Sequence, residues 1–217
     1  MPKSRRGSRA DSTAAILRAA TQEFAACGYE AAGVDRIARR AKVNKALLYY
    51  YFTNKRALYQ AVVRQALALL IQPLTLIVES RQTADRKIHL WIETLVHILA
   101  DTPHVPQLML RELADGGRHL DDEVLRELVA FAPLFSAIVR QGRDEKRFGA
   151  FDPLMLHFVL MGTTMLLASN APIRVRVRKL GFAEPPLDLA PVVAHLQLIA
   201  RRALRKESKD ATHSAAR

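Results

Sequence analysis

Residues 33–58 read GVDRIARRAKVNKALLYYYFTNKRAL, and this stretch decides the fold. Val34, Ile37, Ala38 and Ala41 recur at i, i+3, i+4 and i+7, the spacing of one buried helical stripe, which leaves Asp35, Arg36, Arg39 and Arg40 outside. Lys42, Val43 and Asn44 form a short turn in which the Asn44 side chain can cap a following helix. That helix, Lys45 to about Phe52, turns Leu48 and Phe52 toward the same core and carries three consecutive tyrosines. At helical spacing one of the three must point partly inward. Two short helices joined by three residues make a helix-turn-helix.

Working outward, a helix is expected from about Ser12 to Cys27, with Ile16, Leu17, Ala20, Phe24 and Cys27 on one side and Gly28 as its left-handed stop. Asn54 can cap a long helix from Lys55 toward Glu79, bent near Pro73, where proline removes a donor and clashes with the preceding turn. Further helical patterns run over Ala84 to Ala100, Val105 to Ala114, Asp122 to Gln141, Asp152 to Ser169 and Asp188 to Lys206. Asp152-Pro153 is a helix start, Asp as cap and Pro at the first helical position. There are no internal repeats, and strict alternation is confined to Ile173–Val177. The predicted fold class is all-α: an N-terminal three-helix bundle with a helix-turn-helix, then a larger helical domain. The expected divisions are a basic flexible arm over residues 1–10, the bundle over 11–57, the larger domain over 58–207 and a flexible tail over 208–217.

Charge is concentrated at one end. Residues 1–64 hold 13 Lys and Arg against four acids, whereas the remaining 153 residues carry only +3 of the net +12. A positive end on a nearly balanced body fits a phosphate-facing module, because Lys and Arg release the counterions of DNA. The one cysteine, Cys27, has no disulfide partner, and the first residues have no apolar segment of a secretory signal behind them, so a cytoplasmic location is expected. The most apolar run, Phe158 to Ala168, is interrupted by Gly162, Thr163 and Thr164, and no membrane partner is expected. There is no phosphate-cradling glycine loop, nucleophile elbow, His-Glu-x-x-His or cysteine cluster, and Pro103 separates His97 from His104. Neither an enzyme, a cofactor nor a metal site is therefore expected.

The quoted stretch resembles the DNA-binding signature of the tetracycline-repressor (TetR) family. The likeness is carried most by Leu48-Tyr49-x-Tyr51-Phe52-x-Asn54-Lys55-x-x-Leu58, with Ile37-Ala38 and Ala41-x-Val43. The helix from Lys45 is short, basic at its start and aromatic outside, as an element lying in a major groove can be. Lys45, Tyr50 and Tyr51 are the expected base readers. The resemblance implies that Tyr49 and Lys55 meet phosphates, where positive charge and free helix N–H groups coincide. Arg36, Arg39 and Arg40 are expected on flanking phosphates, and Arg5, Arg6 and Arg9 along the backbone or in a minor groove. Lys42, Asn44 and Ala46 complete the expected DNA-facing set. Gly33 and Leu47 depart from the family by standing where a hydroxyl is usual, and Lys42 stands where the turn glycine is usual. A positive φ at Lys42 would cost about 1 kcal/mol or more.

The helices over Asp152–Ser169 and Asp188–Lys206 are apolar on more than one face, which calls for a partner surface. In the resembled family the last two helices pair two subunits, which implies a homodimer on a near-palindromic operator with reading heads about one DNA turn, roughly 34–36 Å, apart. The family also implies a small-molecule effector held in the larger domain. Candidate cavity residues are His89, Trp91, His97, Met109, Arg111, Glu112, Phe131, Phe135, His157 and Met161. Effector binding is expected to shift the long helix from Lys55 and so change the spacing of the heads. The competing reading is an architectural DNA binder with little sequence preference and no effector, for which uneven charge alone would suffice.

Overall fold

A computed structural model describes residues 5–182 and 188–206, the side chains of residues 5–8 and 171 excepted. The tail from Ser208, the first four residues of the basic arm, the Pro185-Pro186 segment and the Arg5 and Arg6 side chains lie outside the described part. Every regular element among the described residues is a helix, and they contain no strand. In chain order the helices are α1 (Arg5–Ala31), α2 (Val34–Arg40), α3 (Lys45–Tyr51), α4 (Lys55–Glu79), α5 (Ala84–Asp101) and α6 (His104–Ala114). They continue with α7 (Asp122–Val129), α8 (Phe131–Asp144), α9 (Pro153–Ser169), α10 (Ala171–Lys179) and α11 (Leu189–Leu204).

Local chemistry accounts for most of these boundaries. Asn44 accepts a hydrogen bond from Leu47 N at 2.7 Å to start α3, and Asn54 accepts one from Ala57 N at 2.8 Å to start α4. Asp121, Asp152 and Asp188 do the same for α7, α9 and α11. Lys42 adopts the left-handed φ of 57° that its place in the turn requires, without glycine's freedom. Gly28 has φ 78° and ψ 175°, a positive φ that favours glycine, so α1 is interrupted where the glycine stop was expected and then runs on to Ala31.

Three expectations are corrected, and one unassigned stretch is resolved. Helix α1 begins at Arg5, so the basic segment is helical from there onward. Residues 122–141 form two helices broken at Ala130, because Pro133 cannot donate to the preceding turn and its ring crowds the carbonyl four residues back. The alternating Ile173–Val177 stretch, to which no element was assigned, lies in helix α10, with Pro172 in its first turn. Helix α4 runs unbroken through Pro73 and, contrary to the expectation for this chain, is long and apolar enough to cross a membrane. Its packing explains that apolarity: α1, α5, α7 and α8 surround it, and Leu58, Val62, Val63, Leu67, Leu70 and Leu74 are buried.

The first three helices enclose a core of Ile16, Ala20, Phe24, Ile37, Ala38 and Leu48. The second part packs α5 against α4, α8, α9 and α11 around Trp91, Ile92, Leu95 and Phe135. Buried Lys87 is satisfied there by Val78 O at 2.6 Å and Gln141 Oε1 at 2.8 Å. Gly142 sits under the Phe148 ring: a Cβ at this position would lie 2.0 Å from Phe148 Cδ2 and 2.6 Å from its Cγ. Gly142→Ala should therefore cost about 1–3 kcal/mol in a urea unfolding titration, the usual penalty of overpacking. An unchanged midpoint would mean that the ring swings away freely.

Candidate functional site

The outer face of the helix-turn-helix is built from what the small core does not need. Leu48 is wholly buried, and the helical rotation that buries it carries Tyr49 and Tyr50 outward, Tyr50 to 69% exposure. Tyr51 is half-buried and packs against the core, so it is the tyrosine with the inward share. The rings of Tyr50 and Tyr51 meet edge to face, and the Arg9 guanidinium lies 5.7 Å from each ring centroid. Helix α1 thus delivers a cation to the tyrosine pair. Ala46, Arg39 and Lys42 are exposed on the same unit.

Several expected DNA-facing residues also have partners inside the chain. Arg36 is drawn back by Glu23 and by the Ala31 carbonyl, which removes it from the freely projecting cations. Burial pushes the Glu23 carboxyl up, but hydrogen bonds from Arg36 and Gly33 N–H outweigh it and hold the pKa below its ordinary value. Arg40 reaches Gln22 Oε1 at 3.5 Å. Lys45 pairs with Asp35 at 3.0 Å on the surface, an exchangeable contact of small worth. Asn44 spends its side chain on the α3 cap. Lys55 lies 4.7 Å over the Tyr29 ring and donates to Glu30 O at 3.0 Å.

The second feature is a cavity of about 380 Å³ in the larger part, with walls from α4 to α9. Of the ten candidates, Met109, Phe131, His157 and Met161 line it. His157 is 7% exposed, its buried Nδ1 has no hydrogen-bond partner, and burial holds its imidazole pKa below the ordinary value. Its neighbour Phe135 lies behind the wall between His157 and Trp91, whose indole Nε1 is likewise buried without a partner. His97 is exposed on α5, and His89 lies by α11, where its carbonyl accepts from Gln197.

Arg111 and Glu112 are turned away from the cavity for a structural reason. The break at Gly28 leaves carbonyls of α1 without their helical donors, and Arg111 donates to two of them, Ala25 O and Ala26 O, both at 3.1 Å. Glu112, 1% exposed, accepts from Tyr59 O–H at 2.6 Å and from His119 N at 3.1 Å, with His119 Nδ1 2.9 Å away. Burial first, and then the adjacent carboxylate, push the Tyr59 phenol pKa upward. Tyr29 stacks beside His119, with ring centroids 4.3 Å apart. Helix α6 therefore presents Met109 and Leu113 to the cavity and Arg111 and Glu112 to α1 and α4. Sequence alone gave no signal for this joint, since Glu112 meets a tyrosine 53 positions away.

The model described as bacterial regulatory proteins, tetR family, matches residues 16–62. The transcriptional regulator RutR of Escherichia coli K12 is 32% identical over 158 residues, covering 73% of this chain and 74% of that protein. The transcriptional repressor SCO4008 of Streptomyces coelicolor is 34% identical over 104 residues, covering 48% and 50%. Among solved structures, a regulatory protein of the tetR family from Rhodococcus RHA1 superposes with a TM-score of 0.74 at 18% identity, covering 91% of this chain and 98% of that one.

Proposed function

The chain belongs to the TetR family of bacterial transcription regulators, and from that premise we propose that α3 reads an operator, that α9 and α11 pair two copies, and that the cavity takes the effector. The observation that carries the reading is Tyr50, a large aromatic side chain held on a capped helix and exposed at 69%. An architectural binder needs no such reader. Lys45, Ala46 and Tyr50 are the groove-facing residues in this reading, with Tyr51 contributing its exposed edge and Tyr49 meeting a phosphate. Arg39, Arg40, Lys42 and Lys55 serve the phosphates. Arg36 and Asn44 act by shaping the unit. Residues 11–57 form the reading head, and 58–207 the effector and dimer part.

An unpartnered apolar stripe supports the pairing. Met155, Val159 and Leu166 are exposed along one side of α9, clear of the cavity lining, and Leu198 and Ile199 on α11. Val159→Glu should convert the dimer to monomer in light scattering and lower operator affinity by at least about 100-fold, because one half-site loses its tethered partner. Retained dimer and retained affinity would place the pairing surface elsewhere.

Communication between the sites follows the walls. Helix α4 lends Ala66, Leu67 and Leu70 to the cavity and begins at Lys55 beside the reading head, while α6 ties the cavity to α1 and Tyr59. An effector that fits one spacing of the heads better than another shifts the population toward it, and only that differential affinity drives release. DNase protection of the gene's upstream region tests the operator reading. Two protected half-sites about one helical turn apart are expected, and unbroken coverage of unrelated DNA would reject it.

A further inference from the structure

The cavity walls are chemically one-sided. Leu, Val, Ala, Phe and Met supply nearly all of them, and no Lys, Arg, Asp or Glu among the described residues takes part. Among the described residues, His157 is the only lining residue whose side chain carries nitrogen or oxygen, and its buried Nδ1 meets no partner there. A buried polar atom without a partner is costly, so in a folded chain it calls for an account. Trp91 Nε1, the other orphan on this side of the core, belongs to a residue that does not line the cavity.

We infer that the effector is a neutral, mainly apolar molecule with a single hydrogen-bonding group, a hydroxyl or carbonyl, which His157 receives. This rests on reading the cavity as the effector site. The neutral imidazole offers one donor and one acceptor, so it can serve either group, whereas a charged headgroup placed at buried His157, away from the open mouth lined by Leu113 and Val129, would be desolvated with no counter-ion. Met109, Met161 and Met165 add flexible, polarisable surface that fits aromatic rings as readily as aliphatic chains. The volume of about 380 Å³ suits a molecule of modest size.

The test uses three probes that differ only in one substituent: 4-butylphenol, butylbenzene and 4-butylbenzoate. Each is titrated by calorimetry near neutral pH into the full chain, its His157→Leu variant and its His157→Asn variant. The ratio of butylbenzene to butylphenol dissociation constants should be roughly tenfold larger in the wild type than in His157→Leu, because the variant removes the hydrogen bond and not the apolar wall. His157→Asn, which keeps a polar group near the Nδ1 position, should retain part of that ratio. The benzoate should bind the wild type at least about tenfold more weakly than the phenol. An equal ratio in wild type and His157→Leu, or a benzoate as tight as the phenol, would overturn the ligand class while leaving the cavity a binding site. Failure of all three probes to bind the wild type would overturn the reading of the cavity itself.

Discussion

Lys45→Ala combined with Tyr50→Ala should lower operator affinity by about 100-fold or more while leaving the melting temperature in place, given roughly 1–3 kcal/mol for each good base contact. The stability half of this expectation follows from exposure. Tyr50 contributes nothing to the core, and the Lys45 pair with Asp35 is a surface contact. The affinity half follows from position, since both side chains project from the capped helix that the small core holds by Leu48. A filter-binding series on operator and scrambled DNA checks it. Specific binding should fall steeply and nonspecific binding little, because the exposed cations Arg39, Arg40 and Lys42, proposed to serve the phosphates, remain. A parallel loss on both DNAs would demote α3 from reader to general anchor.

Glu112→Ala should be the most damaging single change in the larger part. It leaves the buried Tyr59 hydroxyl and His119 N–H without their acceptor, and it opens space at a residue 1% exposed. Stranding buried partners of this kind costs about 3–5 kcal/mol, which in a chain of this size lowers the melting temperature by roughly 6–20 °C. Glu112→Gln, which keeps an acceptor for one of the donors, should recover part of the loss. The change should also weaken the response of operator binding to an effector, because the joint from α6 to α4 and α1 is what Glu112 and Arg111 form. A melting temperature within a degree or two of the wild type would show that the joint relaxes onto other partners.

The reading head was legible in sequence because its determinants are local. The Asn44 and Asn54 caps, the i, i+3, i+4 stripe through Ile37 and Ala38, and the aromatic run all act within one turn of their own position. The tie between Arg36 and Glu23 was not legible, since it joins residues 13 apart through the folding of α2 onto α1. In the larger part, periodicity found most of the helices but fell short at two segments. Pro133 had the information for the break at Ala130, and the alternation over Ile173–Val177 hid the helical period of α10, so no element was assigned there although Pro172 marked a helix start. The cavity was the least legible feature. A histidine or methionine on an apolar helix reads the same whether it closes a core or lines a hole, and only packing separates His157 and Met161 from Trp91 and Phe135.

The most direct test of the central claim is a fluorescence-anisotropy titration of the full chain against labelled DNA from its own gene's upstream region, at near-physiological salt with excess nonspecific competitor. Affinity quoted without those conditions carries no information on specificity. A sequence-reading dimer predicts saturable binding of two protomers per duplex that survives the competitor and is lost in the Lys45→Ala, Tyr50→Ala variant. Binding that the competitor erases on every upstream fragment, with the variant indistinguishable from wild type, would contradict it.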